Sequence, residues 1–346
     1  MDGLRGFAVL LVFCVHAAGN AAAVAWPVDL EHVKLGDLAT AGEIALFWLW
    51  RSHHGVFLFF VLSGYLIGRM WWPAARTTYA QFALRRTLRI YPAFLATFAA
   101  SLVFAWYSRT WVPPDWPRLV GNLLFLNGVE ALHVVPFNIV TWSLFYEMTF
   151  YLAFPVVAGA MRVAGVRDGT GVWAFGVAIP AAVALLGANP FVLCWSLLFL
   201  GVAVAVHERA LVGLAERVPA IAVIALYLAV TTFALTSYAT PVFTILLFGC
   251  AAALVVAKSL ASPNLLARAL CIRPLRWLGR ISYSFYLVHW MIVVLVARTF
   301  LGGTAAGALT VTAIIFAAGF VLSACAASAL WWAAERPYFA YLRTPR

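Results

Sequence analysis

Long apolar runs follow one another along the chain, separated by short polar stretches that are rich in arginine. The runs fall at 5–25, 55–72, 88–107, 140–161, 171–188, 190–206, 219–237, 241–258, 280–299 and 304–332. Each is close to the roughly 20 residues that a helix needs to cross a bilayer. None shows the short alternating segments of a barrel strand. The pattern therefore predicts an all-α polytopic transmembrane helix bundle of about ten spans. Residues 119–129 are apolar but too few to cross, which predicts a re-entrant or surface-lying piece on the outer side. The longest outer stretch is 26–54 and the longest inner one 259–279. Neither has room for a soluble domain, so residues 1–346 read as one membrane-embedded domain.

Composition sharpens this picture. The 346 residues are 65% hydrophobic and only 10% charged, with a mean hydropathy of +0.97. Such a chain is neither a soluble globule nor a disordered or fibrous protein. The net charge of +11 invites a nucleic-acid reading, but the placement of the charge argues against one. With the N-terminus in the cytoplasm, all 23 basic residues except Lys34, Arg51, Arg109, Arg118 and Arg298 fall in inner loops or at inner span ends. This is the positive-inside pattern, and it puts both termini in the cytoplasm with no nucleic-acid partner. Reading 119–129 as a full span would move Arg162 and Arg167 outside. Arg5, the apolar run 7–15 and Ala23-Val24-Ala25 together look like a cleavable signal peptide. The loop arithmetic works with the segment retained, so we take it as the first span. The five cysteines have no metal-ligand spacing and read as small hydrophobes.

An ionisable side chain in hydrocarbon asks for a reason. Arg5 and His16 are eleven residues apart, almost three helical turns, so they share one face with a rise of about 16 Å. Arg suits phosphate through its planar fork, and a neutral His suits general-base work. The separation matches an extended pantetheine arm, with phosphates at Arg5 and a thioester near His16. The alternative is a snorkelling Arg and a structural His. Asp2 lies three residues before Arg5 and pairs with it or with the helix dipole. Arg86 and Arg89, three apart, face together as a phosphate grip or as a lipid-headgroup anchor. Glu147 is an intramembrane carboxylate with Ser143 four residues before it, and it either handles a proton or a hydroxyl or sits in a buried ion pair. His289 lies midway along the ninth run, flanked by Ser282 and Tyr286, and serves either catalysis or an interhelical hydrogen bond. His53 and His54 lack a third metal ligand at fitting spacing and read as an interfacial pair.

Six short motifs now stand in order: Asp2-Gly3-Leu4-Arg5-Gly6 with His16; Phe59-Phe60-Val61-Leu62-Ser63-Gly64-Tyr65-Leu66-Ile67; Arg86-Thr87-Leu88-Arg89-Ile90-Tyr91-Pro92; Trp142-Ser143-Leu144 with Glu147; Ile281-Ser282-Tyr283 with Tyr286-Leu287 and His289; and Glu335-Arg336-Pro337. In this order the chain resembles the integral-membrane acyltransferase type 3 family, which includes O-antigen and polysaccharide O-acetylases and macrolide O-acyltransferases. The resemblance runs from residue 2 to residue 337. It implies a ten-helix core that passes an acyl group, acetyl by default, from cytoplasmic acyl-CoA to a hydroxyl of a carbohydrate, glycolipid or macrolide. It implies Arg5 and His16 as the essential pair with His16 catalytic, Arg86 and Arg89 as CoA-phosphate contacts, and Ser143 and Glu147 as conduit or acceptor-site residues; we add Arg5 to the phosphate contacts and place Arg5 and Glu147 beside His16 in the catalytic set. Ser63, Ser143, Tyr146, His289 and Asp2 fall to the substrate site. Acyl-CoA is then a donor substrate, with no metal and no permanently bound cofactor. The implied location is a bacterial cytoplasmic (inner) membrane, with a separate envelope partner possible for an export reaction. Two features depart from the family pattern: the Asp-Gly-Leu-Arg motif nearly starts the chain, and Phe57 stands where a polar residue is usual.

Two rival classes use the same residues differently. A lipid or lipid-linked-sugar transporter or flippase moves its substrate without turning over CoA. A non-catalytic scaffold of an envelope complex keeps its function when His16 becomes Ala.

Overall fold

In hydrocarbon only a helix satisfies every backbone N–H and C=O within one segment. The computed structural model describes residues 1–51, 54–72, 77–108, 116–166, 170–186, 193–236, 241–301 and 306–343, and it folds the apolar runs in this way. The helices are α1 (Asp2–Ala25), α2 (Ala41–Trp50), α3 (His54–Trp71), α4 (Tyr79–Tyr107), α5 (Trp116–Leu123), α6 (Trp142–Val163), α7 (Thr170–Leu186) and α8 (Cys194–Val206). They continue with α9 (Glu208–Arg217), α10 (Ala220–Thr236), α11 (Pro241–Leu260), α12 (Leu265–Leu270), α13 (Arg273–Arg280), α14 (Ser282–Arg298), α15 (Ala308–Leu330) and α16 (Arg336–Arg343). No strand occurs among the described residues.

Six helical stretches are long and apolar enough to cross a membrane, or eight when each of two bent pairs counts as one span. The two remaining expected runs fold as α7 and α10, each 17 residues long. Residues 119–129 do not cross. They form the end of the eight-residue α5 and a 3-10 turn at Leu126–Gly128. Between them the buried Phe125 takes a left-handed conformation with φ of 61°. Asn122 closes this piece, accepting from the Phe137 N–H at 3.1 Å and donating to the Val135 carbonyl at 3.0 Å. The outer stretch 26–54 contains more structure than its sequence suggested, because α2 begins there behind a capping box. Thr40 accepts from the Glu43 N–H, and the Glu43 side chain accepts from the Thr40 N–H.

Both bends are held by side chains. α9 turns 88° from α8. Its first residue, Glu208, accepts from the Tyr65 hydroxyl at 3.0 Å and faces Arg69 at 3.7 Å. Its last turn is capped by Lys258, whose Nζ donates to the Ala215 and Val218 carbonyls at 2.9 and 2.7 Å. Lys258, expected as one more basic residue at an inner span end, is thus buried structure. α13 turns 84° from α14 and lies across the first turns of α1. Gly6 meets the Leu275 carbonyl there, and Gly279 meets the Asp2 carbonyl, so closely that an added Cβ would collide with backbone. Small residues let backbones approach in the same way between α3 and α8, at Gly64 and Gly201.

The packed interior divides into two apolar clusters. One centres on α3, α6, α8 and α11, the other on α1, α14 and α15. The polar residues of the motifs gather along the seam between them.

Candidate active site

Five helices bring side chains to one cavity of about 90 Å³ on that seam. α1 gives Arg5, α3 gives Ser63, α4 gives Arg86 and Arg89, α6 gives Ser143, Glu147 and Tyr151, and α14 gives Ser282, Tyr283 and Tyr286. Six expected site residues, Arg5, Ser63, Arg86, Arg89, Ser143 and Glu147, therefore share one space, although up to 142 positions separate them.

Each is positioned by a local cause. Arg5 sits one residue after Leu4, which is 1% exposed, on the helical turn that α13 clamps. Arg86 and Arg89 are half-buried and point inward, while neighbouring Arg85 is exposed. The Arg86 guanidinium lies 5.0 Å from the centre of the Tyr151 ring and 5.3 Å from that of Phe82, and it reaches the Met70 sulfur at 3.1 Å. The Arg89 guanidinium lies 5.4 Å from the ring centre of Phe339 on α16. Among the described residues, none of the three arginines has a carboxylate oxygen within 4.0 Å.

Glu147 is held differently. Its Oε1 accepts from the Ser63 hydroxyl at 2.6 Å and from the buried Tyr151 hydroxyl on the next helical turn. At the other side of the cavity the Tyr286 hydroxyl donates to the Val140 carbonyl at 2.6 Å, and the Ser143 hydroxyl lies 2.8 Å from the Tyr286 hydroxyl oxygen. Because Tyr286 gives its proton to the backbone, Ser143 is the donor between them. Its own lone pairs are left to face the cavity.

His16 is not among the cavity-lining residues. The rise of about 16 Å from Arg5 carries it past them. Its ring instead lies 5.2 Å, centre to centre, from that of His289. His289 is completely buried one turn beyond Tyr286, with ring centres 5.9 Å apart. Tyr286 thus stands between the charged cavity and the histidine pair.

Two more expected site residues, Tyr146 and Asp2, lie elsewhere, and so does His54, which was read as interfacial. Tyr146 points away from the cavity and donates to the Gly128 carbonyl at 2.9 Å, anchoring the non-crossing piece to α6. It does not line the cavity, although its i+3 spacing from Ser143 puts both residues on neighbouring positions of α6. Asp2 borders a second cavity at the start of α1, with Ser259 and Arg276, rather than the one lined by Arg5. His54 is not interfacial but 3% exposed, stacked on Phe248 with ring centres 4.2 Å apart. His53 lies outside the described residues.

The sequence reading missed Tyr151 and Glu335 as contributors. Tyr151 carried a signal, because it follows Glu147 by four residues. Glu335 carried none that identifies its partner. It ends a π-helical turn, Trp331–Glu335, and is 2% exposed. It reaches across to α14, accepting from the Ser284 N–H at 3.1 Å and from the Ser284 hydroxyl at 2.5 Å. A carboxylate at a helix N-terminus is favourable, so Glu335 caps the corner at which α13 turns into α14.

A multi-pass helical bundle with a cationic cavity, a half-buried carboxylate and a pair of histidines is the frame of a membrane enzyme. The chain belongs to the acyltransferase type 3 family: the family model, described as an acyltransferase domain, matches residues 1–332. The chain is 30% identical over 332 residues to acyltransferase MdmB of Streptomyces mycarofaciens, covering 85% of this chain and 78% of that protein. No solved structure matches. The protein is a membrane acyltransferase.

Proposed function

We propose that this protein is an O-acyltransferase. It takes an acyl group, acetyl in the simplest case, from acyl-CoA and gives it to a hydroxyl of a carbohydrate or glycan-type acceptor, glycolipids and macrolides included. One observation carries the donor assignment: three guanidiniums converge on a cavity whose one carboxylate already accepts two hydroxyl protons. Such a site has positive charge to spare, and a phosphate or pyrophosphate is the anion that suits several guanidinium forks. The distance along α1 from Arg5 to His16 then matches a donor whose phosphates and thioester lie at opposite ends of a flexible arm.

In this reading Arg5, Arg86 and Arg89 bind the phosphates, and Glu147 and Ser143 orient the acceptor. His16 removes the proton of the acceptor hydroxyl as its oxygen attacks the thioester carbon. The carbon–sulfur bond breaks, and the proton leaves with the sulfur as free CoA. Alternatively His16 takes the acyl group itself before passing it on. The protein sits in a bacterial cytoplasmic membrane with both termini inside, and it draws acyl-CoA from the cytoplasm. A separate envelope partner completes the reaction where the modified glycan is exported.

The test is CoA release from radiolabelled acetyl-CoA in sealed inside-out vesicles, with host-membrane lipids and glycan extract as acceptors. The expected result is release and label transfer by the wild type and neither by folded His16→Ala. Equal release by both refutes the role of His16. Substrate movement without CoA turnover supports a transporter instead.

A further inference from the structure

His289 presents a buried polar atom without a partner. The residue is 0% exposed, and its Nδ1 lies 2.8 Å from the Tyr286 carbonyl and 3.1 Å from the Phe285 carbonyl. Carbonyl oxygens only accept, so Nδ1 carries the proton. A neutral ring protonated at Nδ1 has a lone pair at Nε2, and among the described residues the buried Nε2 has no hydrogen-bond partner. Leaving such an acceptor unpaired is costly, so a native protein retains one for a reason.

The reason lies next to it. The ring centres of His16 and His289 are 5.2 Å apart. That is the spacing of two imidazoles sharing a linear N–H···N bond, about 2.9 Å between nitrogens plus a ring radius at each end. The planes are inclined at 51°, a tilt that rotation about the broad terminal torsion of a histidine can adjust. Phe285 stacks on His289 at 5.9 Å and 11°, and two carbonyls hold its Nδ1, so the His289 ring is the fixed member of the pair.

We propose that His289 is the positioning residue of the catalytic histidine: its Nε2 accepts the N–H of His16, selecting the tautomer and ring orientation in which the other His16 nitrogen faces the acceptor hydroxyl. This rests on the assignment of His16 as the proton acceptor. When His16 takes the hydroxyl proton, the bond to His289 becomes charge-assisted and stronger. The Nδ1–H of His289 stays on the two carbonyls throughout. Tyr286 links this pair to the charged cavity, donating its hydroxyl to Val140 while its main-chain carbonyl holds His289.

Two substitutions separate positioning from packing. His289→Asn puts its amide near the place of Nδ1, so it keeps a donor for the carbonyls and removes the acceptor at Nε2. His289→Gln reaches the place of Nε2 and restores an acceptor there. The readout is steady-state CoA release from acetyl-CoA with host-membrane lipid and glycan extract, on variants that elute from size exclusion as the wild type does. In His289→Asn, kcat is expected to fall at least about tenfold with the KM for acetyl-CoA unchanged, whereas His289→Gln stays within a few-fold of wild type. In the His16→Ala background, His289→Asn is expected to cost nothing further. If Asn is as active as wild type, or more active than Gln, His289 is a packing residue and the proposal fails. If His16→Ala itself keeps wild-type turnover, the assignment of His16 fails first. An inactive His16→Ala beside a fully active His289→Asn overturns only the positioning role. Where Asn does not fold, His289→Leu replaces it as the acceptor-free variant, and its kcat is judged against Gln by the same criteria.

Discussion

Glu147 offers the sharpest test of how the cavity works. In Glu147→Leu the Ser63 and Tyr151 hydroxyls lose their shared acceptor. The two oxygens are already 2.9 Å apart, so they turn to each other and one donor is left without a partner. The cost in stability is therefore about 1–3 kcal/mol, one unsatisfied group rather than two. Glu147→Gln keeps a carbonyl oxygen in place of Oε1 and is expected to cost less than about 1 kcal/mol. It also removes the one negative charge among the lining residues, which favours an anionic donor. Purified protein in detergent would be melted for stability and assayed for CoA release at varied acetyl-CoA. The expected pattern is a clear drop in melting temperature for Leu alone, a KM for acetyl-CoA unchanged or lowered in Gln, and a kcat lowered in both. A raised KM in Gln with kcat intact would refute the reasoning, because the carboxylate would then be assisting donor binding rather than acceptor chemistry.

Arg86→Ala and Arg89→Ala should each raise the KM for acetyl-CoA by roughly 10- to 100-fold, the range for losing one hydrogen bond to a charged group, with Lys restoring part of it; steady-state kinetics in vesicles checks this. Glu335→Ala should destabilise the protein by about 1–3 kcal/mol because the Ser284 N–H and hydroxyl lose their acceptor, while Glu335→Gln recovers most of that in a thermal melt. Gly6→Val should reduce the yield of folded protein on size exclusion, since its side chain would enter the Leu275 backbone and lift α13 from α1. Lys258→Met should speed tryptic cleavage at Arg209 and Arg217 in solubilised protein, because α9 loses the ammonium that caps its last turn.

Part of the site was legible because helix periodicity is local. The shared face of Arg86 and Arg89, and of Ser143 and Glu147, follows from spacing alone, and both pairs line the cavity. Spacing was not used fully: the reading took Tyr146 and missed Tyr151, which follows Glu147 by four residues and lines the cavity. His289 was visible as an intramembrane histidine. Its ring partner was not, since His16 is 273 positions away and only the packing of α1 on α14 brings the two rings together.

The hydrophobic pattern by itself determined that this chain is a bundle of membrane helices and where nearly all of them lie, because a bilayer admits few other solutions for the backbone. It also determined which polar residues needed explaining. Tertiary structure alone decided that three arginines from two helices face one carboxylate, that His16 passes beyond that cavity to meet His289, and that Glu335 holds the corner of α14. These outcomes depend on where backbones can touch. The contacts at Gly6, Gly279, Gly64 and Gly201 set the angle and depth at which the helices cross, and such contacts between distant segments leave no periodic signature in the sequence.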